Sequence, residues 1–269
     1  MKRMGVALRG HVLARVNGPT AELNPSADSV CPICHGAGWL RQDVPVGHPL
    51  FGRLVPCECL ETERARIRFA EMRRLSALDA FSDKTFENFD GRVPGVADAF
   101  EVSRHFARDD SEWRWIVLSG KPGCGKTHLA AAIANEAMNR GRGVLFAVVP
   151  DLLDHLRSTF APTSPIQYDE MFEGVRGSEL LVLDDLGTES ATAWAQEKLY
   201  QLINYRYNNE FPTVFTTNRR LEALDERIQS RLGDRVLCKI VEVGARDYRE
   251  LQKGQRRPNT PGRSAGGRR

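Results

Sequence analysis

Residues 120–127 read GKPGCGKT, and they match the motif G-x-x-x-x-G-K-[ST] at every fixed position. An apolar run, 115–119, precedes the motif, and helix-forming residues, 127–134, follow it. The motif therefore has the strand, turn and helix that a phosphate-binding loop requires. Glycines let successive backbone N–H groups turn toward one anion, and the following helix adds its positive N-terminal end. The stretch predicts a site for nucleotide phosphates.

The same loop supplies the predicted nucleotide contacts. We expect Lys126 to reach the β- and γ-phosphates and the Thr127 hydroxyl to ligate Mg²⁺. A glycine-rich turn that matches the motif by chance is the alternative, and the flanking strand and helix disfavour it. The full predicted set is Gly120, Pro122, Gly123, Cys124, Gly125, Lys126, Thr127 and His128.

Two acids and an amide follow later apolar runs. Asp184 and Asp185 come directly after residues 179–183, and Asn218 comes directly after the run 213–217. Ligands of open α/β sheets bind outside the carboxyl ends of the strands, so these side chains should meet the loop there. We expect Asp184 to hold Mg²⁺, Asp185 to orient or deprotonate an attacking water, and Asn218 to lie beside the γ-phosphate. Two unrelated loop acids are the alternative for the aspartates.

The order of the apolar runs predicts the fold class. Strand-like runs alternate with helix-like segments from residue 115 to residue 243. Such alternation is typical of an α/β fold with parallel strands and helices on both faces. We therefore predict a P-loop domain with a five-stranded parallel sheet.

The N-terminal part carries four cysteines in two close pairs. Residues 31–34 read CPIC and residues 57–59 read CEC, so Cys31, Cys34, Cys57 and Cys59 are candidate ligands of a structural zinc. The C-x-C pair is tighter than the commoner C-x-x-C, which leaves His35 or His48 open as a replacement ligand. The alternatives are reduced thiols without a metal or an opportunistic disulfide. A segment this short cannot build a hydrophobic core without a cross-link, which favours zinc.

Composition limits the remaining possibilities. The chain has 269 residues, 41% hydrophobic and 27% charged, which is typical of a soluble globular protein. No apolar run approaches the roughly 20 residues that cross a bilayer, and charges near the start make a poor signal peptide, so we expect a cytoplasmic protein. The net charge is +3, yet residues 253–269 carry six basic and no acidic side chains, so the rest has a net charge of −3.

These features predict four segments. Residues 1–30 form an extension of low order, and residues 31–80 form a zinc-binding module with a helix, predicted at 60–78, that links it onward. A clasp, residues 81–89, leads into the nucleotide-binding domain at 81–252. Residues 253–269, rich in Gly, Pro and Arg, form a disordered basic tail.

The combined motifs resemble the AAA+ ATPases of the DnaC/DnaI type, the loaders of replicative helicases within the IstB/DnaC-like family. The resemblance rests on GKPGCGKT, on LLVLDDLG at 180–187, on TTN at 216–218 and on ERIQSRLGD at 226–234. The segment CPIC…CEC, followed by a charged helix and FENF at 86–89, is also similar to DnaI-like loaders. The resemblance as a whole covers roughly residues 31–250.

The resemblance implies ATP with Mg²⁺ as cofactors and hydrolysis of the ATP, and the shorter side chain of Asp185 makes that hydrolysis slow or partner-stimulated. It implies that Asn218 is sensor 1, Arg231 the arginine finger and Arg249 sensor 2, and a finger that acts on a neighbouring subunit requires self-association. It also implies contact of the zinc module with a hexameric replicative helicase, and binding of single-stranded DNA. Asp185 replaces the glutamate of many AAA+ proteins, which favours a switch over a motor.

Two other functions remain open from the sequence. An IstB-type transposition helper shares the same ATPase core and would bind duplex DNA and a transposase. A nucleotide-gated assembly scaffold would bind ATP without useful hydrolysis. The cysteine segment favours the loader over the helper, and the pair Asp184 and Asp185 disfavours the scaffold.

Overall fold

The computed structural model describes residues 31–109, 111–189 and 192–247 of the chain. Its strands are β1 (Trp39–Arg41), β2 (Leu54–Pro56), β3 (Trp115–Ser119), β4 (Val144–Val148), β5 (Leu180–Asp184), β6 (Thr213–Thr217) and β7 (Cys238–Glu242). Its α-helices are α1 (Glu58–Leu75), α2 (Ala97–Ala107), α3 (Lys126–Asn139), α4 (Val149–Ser158), α5 (Tyr168–Arg176), α6 (Ala193–Asn208) and α7 (Glu226–Leu232). Short 3₁₀ helices span Leu78–Phe81 and Leu221–Ala223.

Five parallel strands form the central sheet in the order β4, β5, β6, β3, β7. Alternate residues of each strand enter different core layers, as the two-residue period of a strand requires. Trp115 and Val117 pack with helices α4 to α7, whereas Ile116 and Leu118 pack with α2 and α3. Because both faces of the inner sheet are covered, β3, β4 and β5 are largely apolar, whereas β6 contains three buried threonines and the edge strand β7 is partly exposed.

The strand order brings distant parts of the sequence to one edge of the sheet. After β3 the chain crosses to the far edge and returns strand by strand through β4, β5 and β6. The strands are parallel, so the segments that follow β3, β5 and β6 leave the sheet at the same edge. The phosphate-binding loop, Asp185 and Asn218 therefore share one crevice.

The N-terminal part contains a two-stranded antiparallel ribbon and a long polar helix. β1 pairs with β2, with Trp39 opposite Pro56, and α1 begins two residues after β2. Most residues of α1 before Glu71 are exposed, but its last turn packs on the larger domain through buried Leu75. The helix ends at Leu75 because Ser76 is extended and the Ala77 N–H bonds the carbonyl of Phe146 in β4.

The predicted helix at 60–78 lies at 58–75, and the ribbon, α2 and α5 were not predicted from the sequence. The predicted low-order extension 1–30 and the basic tail 253–269 lie outside the described residues. Across the described ranges, no helix is both long enough and apolar enough to span a bilayer.

Candidate functional site

A cleft of about 680 Å³ opens at the carboxyl edge of the sheet. Its walls come from the phosphate-binding loop, from the ends of β5 and β6, from the clasp, and from the chain after β7. Of the predicted nucleotide contacts, residues 122–128 line this cleft, and Asp185 and Asn218 line it as well. The structure thus brings these predicted side chains together, although they lie up to 96 positions apart.

The loop has the close backbone geometry that its glycines permit. Gly125 has φ +105° and precedes the first residue of α3, and a Cβ there would lie 2.9 Å from the ring of Phe89. Gly123 has φ +77°, and a Cβ there would overlap the carboxylate of Asp247. Neither position tolerates another residue without strain. The Lys126 ammonium is buried and donates to the carbonyl of Lys121 at 2.8 Å, so it lies across the loop.

Asp184 joins the loop to the sheet. The Thr127 hydroxyl donates to its two carboxylate oxygens at 3.0 and 3.2 Å, and the Thr216 hydroxyl donates to Oδ1 at 2.6 Å. Burial raises the pKa of Asp184 above its usual range, although the Thr216 hydrogen bond opposes this shift. A hydroxyl and a carboxylate held together are oxygen donors of the kind that Mg²⁺ prefers, so both predicted magnesium ligands fit the ion.

Asp185 and Asn218 form the second polar pair of the cleft. Nδ2 of Asn218 donates to Oδ1 of Asp185 at 3.0 Å. Asp185 adopts φ +60°, a left-handed backbone that aspartate tolerates better than most residues, and its N–H donates to the Thr216 hydroxyl at 2.9 Å. Thr216 therefore contacts both aspartates, a role that the sequence analysis did not assign to it.

The clasp forms one wall of the cleft through Phe81, Asp83, Lys84, Asn88 and Phe89. The predicted nucleotide contact His128 also lines the cleft, but its Nε2 lies 2.9 Å from the carbonyl oxygen of Thr85. The carbonyl only accepts, so Nε2 carries the proton. Burial lowers the pKa of His128, which favours the neutral ring at pH 7. The aromatic motif FENF was the sequence signal for this wall.

The four predicted zinc ligands converge at one point beside the ribbon, with Cys31 and Cys34 in the turn before β1 and Cys57 and Cys59 at the start of α1. All four sulfur atoms of Cys31, Cys34, Cys57 and Cys59 lie within 4.8 Å of one another. Cys31 and Cys57 are 3.8 Å apart and Cys34 and Cys59 are 3.4 Å apart, measured between sulfurs. Tetrahedral Zn²⁺ with bonds of about 2.3 Å sets its sulfurs about 3.8 Å apart, so the donor set fits zinc.

The alternative ligands His35 and His48 are not members of this cluster among the described residues. His48 is exposed, and its Nδ1 accepts a hydrogen bond from the N–H of Leu50 at 3.2 Å. The N–H of Gly38 donates to the Cys34 sulfur at 3.3 Å and is the main cause of a Cys34 pKa lowered to about 6. A backbone donor of this kind stabilises the thiolate that a metal requires.

Arg231 does not line the cleft of its own chain. Its Nε donates to Oδ1 of Asn204 at 3.1 Å, and its guanidinium lies 4.9 Å from the centre of the Tyr207 ring. Both partners belong to α6, so the predicted finger is held at the junction of α6 and α7. Arg249, the predicted sensor 2, lies outside the described residues.

A group of aromatic rings, one exposed and two partly buried, lies outside the cleft and was missed by the sequence analysis. We call this group the aromatic ledge: Phe160, Tyr168 and Trp194. Phe160 is 56% exposed and stacks on Tyr168 with ring centres 4.7 Å apart. Arg157 lies over Trp194 at 4.8 Å, and Lys198 lies 5.1 Å from the centre of the Tyr168 ring. Phe160 follows α4, Tyr168 begins α5 and Trp194 lies in α6, so no pattern within one segment of the sequence predicts that the rings meet.

Known proteins are similar to this chain in sequence and in structure. A family model described as "IstB-like ATP binding protein" matches residues 50–256, most of the chain. Over 153 residues the chain is 30% identical to the "Replicative helicase loader DnaC" of Escherichia coli strain K12, a match that covers 56% of this chain and 62% of that protein. The matched region thus spans less than two thirds of that relative.

Two further proteins are similar over larger shares of their own length. The "Phage-like element PBSX protein XkdC" of Bacillus subtilis strain 168 is 30% identical over 197 residues, covering 67% of this chain and 69% of that protein. The solved structure titled "Crystal Structure of the DnaI" is 26% identical, with a TM-score of 0.52, and covers 62% of this chain and 92% of that one. Likeness to such P-loop structures confirms the predicted fold class and the predicted resemblance.

Proposed function

The chain belongs to the family of IstB-like ATP-binding proteins, and from this we propose that it is an ATP-dependent loader of a replicative DNA helicase. Similarity to DnaC supports a role in helicase loading in general terms. The specific proposal rests on the combination of two features: a cleft lined by the phosphate-binding loop, and a cluster of four cysteines beside the ribbon. The polar helix α1 joins them. Transfer of the helicase onto single-stranded DNA is the proposed outcome.

The cleft is proposed to bind and hydrolyse ATP. Lys126 would contact the β- and γ-phosphates, and Thr127 with Asp184 would hold Mg²⁺, which would neutralise charge on the phosphate oxygens. Asp185 positions the attacking water and accepts its proton, while Asn218 orients the Asp185 carboxylate through their hydrogen bond. An aspartate reaches about one methylene less far than a glutamate, so turnover is slow until a partner completes the site.

Arg231 is proposed to complete the cleft of a neighbouring copy. A guanidinium stabilises charge on the γ-phosphoryl oxygens during transfer. In this chain it lies outside its own cleft and is held by Asn204 and the ring of Tyr207. A finger fixed in this way acts only across an interface, so hydrolysis depends on self-association.

The aromatic ledge is proposed to contact single-stranded DNA. An exposed ring such as Phe160 offers a flat apolar surface on which an unpaired base stacks, at about 1–3 kcal/mol per base. Arg157 and Lys198 place positive charge beside the same rings, where the phosphate backbone would pass. Duplex DNA keeps its bases stacked and would not use this surface.

The cysteine ribbon is proposed to contact the helicase. It exposes several large apolar side chains although it is small: Ile33, Trp39, Val46, Phe51 and Leu54. Exposed apolar residues grouped in this way mark interaction surfaces in soluble proteins. The zinc would fix the ribbon that presents them, since so small a unit has little core of its own.

The transposition helper remains the rival function, and a capture experiment separates the two. The tagged full-length chain is incubated with the replicative helicase, and separately with a transposase, from the same cell. The loader predicts capture of the helicase, loss of capture in Cys57→Ser, and retained capture in the control His48→Ala. Capture of the transposase alone would establish the helper instead.

Hydrolysis is separated from scaffolding by Asp185→Asn. The loader predicts that this variant still captures the helicase, because binding needs ATP but not its cleavage, and fails to release it on single-stranded DNA. Wild-type loading by Asp185→Asn would instead show that the protein is an assembly scaffold.

A further inference from the structure

The clasp is attached to α3, the helix that begins in the phosphate-binding loop. Two side chains of α3, His128 and Asn135, make all the side-chain hydrogen bonds between these two segments that the described residues contain. They are seven positions apart, which is two helical turns, so they lie on the same face of α3. The rest of that stretch is apolar: LAAAIA at 129–134.

Asn135 is almost completely buried and uses one amide group for two bonds. Its Nδ2 donates to the carbonyl of Phe81 at 3.0 Å and to the carbonyl of Lys84 at 2.9 Å. These two bonds account for both amide hydrogens. They fix the beginning of the clasp, where the chain leaves its 3₁₀ helix.

His128 fixes the middle of the clasp through the carbonyl of Thr85. Its ring also meets the edge of Phe89, with ring centres 5.1 Å apart, and Phe89 stacks on Phe100 of α2 at 5.6 Å. Phe89 in turn packs on Gly125 of the phosphate-binding loop, close enough that a Cβ there would clash. His128 therefore holds the clasp at the point where it contacts the loop.

We propose that His128 and Asn135 are positioning residues for the nucleotide, which set nucleotide affinity by holding the clasp as a wall of the cleft. The proposal deepens the proposed ATP site and rests on it. Neither side chain has a hydrogen bond to Thr127, Asp184, Asp185 or Asn218 within the described ranges, so the chemical step does not pass through them. The clasp forms a wall against the nucleotide, and Asn135, which does not line the cleft, acts through the clasp alone, whereas His128 also lines the cleft itself.

The test compares full-length variants in nucleotide binding, in steady-state hydrolysis and in amide hydrogen exchange of residues 85–89. His128→Leu removes the donor at similar size, His128→Gln keeps an N–H donor, and Asn135→Ser removes the two bonds made by the amide. His105→Leu is the matched control, because His105 is exposed on α2 and does not line the cleft.

We expect His128→Leu to weaken ATP and ADP binding by the same factor, about tenfold, the effect of one lost hydrogen bond on an ordered wall. KM should rise with Kd while kcat stays within about twofold, since chemistry is slow relative to nucleotide release. The amides of the clasp should exchange faster without nucleotide. His128→Gln should recover most of the affinity, and His105→Leu should behave as wild type.

Unchanged nucleotide affinity in folded His128→Leu and Asn135→Ser would overturn the proposal, as would a loss of kcat at unchanged KM. If His128→Leu fails to give a cooperative thermal transition, Asn135→Ser decides by the same criteria. Lys126→Ala keeps this result apart from the ATP site itself. If wild type binds ATP and Lys126→Ala does not, the ATP site is confirmed, and the results for His128 and Asn135 test the role of the clasp alone. If Lys126→Ala binds ATP like wild type, the assignment of the ATP site is wrong.

Discussion

The amide of Asn218 donates a hydrogen bond to the carboxylate of Asp185, joining the ends of two adjacent strands at 3.0 Å. An acid held in this way is aimed by its neighbour, so either partner controls where a water can be activated. The pair lines the cleft beside residues 122–128 of the loop.

Loss of either partner should separate hydrolysis from binding. We expect Asp185→Asn and Asn218→Ala to lower kcat by about a hundredfold, the scale of one positioned base, with ATP affinity within about threefold of wild type. Steady-state hydrolysis and nucleotide titration measure the two effects. Asn209→Ala is the control, because its side chain bonds the carbonyl of Tyr205 and does not line the cleft. A parallel loss of affinity would show that the pair serves binding.

Asp184 should make the protein without nucleotide less stable at neutral pH. Burial raises its folded-state pKa above the unfolded value of about 3.9, so the ionised group lowers stability above the folded pKa. This cost disappears as pH falls and both states become protonated. Asp184→Asn should therefore raise Tm, and by more at pH 7.5 than at pH 5. Thermal melts at the two pH values decide, and an equal gain at both would contradict the assignment.

Phe160 should matter for single-stranded DNA. We expect Phe160→Ala to weaken binding of a labelled oligothymidylate by about tenfold at constant salt, since one stacked base is lost. Fluorescence anisotropy measures the affinity. Phe69→Ala, an exposed phenylalanine on α1 and outside the ledge, is the matched control. Equal affinities for both variants would place DNA binding elsewhere.

The cysteine cluster should hold about one zinc ion per chain. Metal analysis of the purified protein checks the stoichiometry, and Cys57→Ser should lose the metal while ATP affinity stays within about twofold. His48→Ala should retain both. The separation is expected because the cluster contacts none of the cleft residues among those described. Protein that folds and captures helicase without any metal would refute the zinc assignment.

Arg231 should be required for ATP hydrolysis in the cleft of the neighbouring copy. We expect Arg231→Ala to bind ATP normally and to lose about a hundredfold or more of its assembly-stimulated hydrolysis. Mixing it with Asp185→Asn provides the sharper measurement, because a mixed pair joins one intact cleft to one intact finger. Partial recovery of hydrolysis in the mixture is expected, and its absence would place Arg231 outside the reaction.

The sequence predicts the part of the site that depends on short motifs. The loop, the paired aspartates and Asn218 each follow an apolar strand, and parallel pairing then brings them together whatever the intervening distance. The same logic predicted the fold, since alternation of strand and helix leaves few arrangements.

What the sequence did not predict depends on contacts between distant elements. Neither α2 nor α5 has a side-chain hydrogen bond at its N-terminus, and the acidic first turn of α5 with Gly177 at its end was a signal that the sequence analysis did not use. Thr216 contacts both aspartates only because β5 and β6 are neighbours. The aromatic ledge and the bonds of Asn135 to the clasp likewise arise from packing.

The shape of α1 has a mechanical consequence. Eighteen helical residues span about 27 Å, and the two buried side chains of the helix, Glu71 and Leu75, both lie in its last five residues. Such a rod behaves as a lever: a swing of about 20° about its fixed end would carry the cysteine-bearing end through roughly 9 Å. The anchored end leads through Ser76, Ala77 and a 3₁₀ helix into the clasp. A small change of tilt at the anchored end would therefore become a displacement of several ångströms at the cysteines.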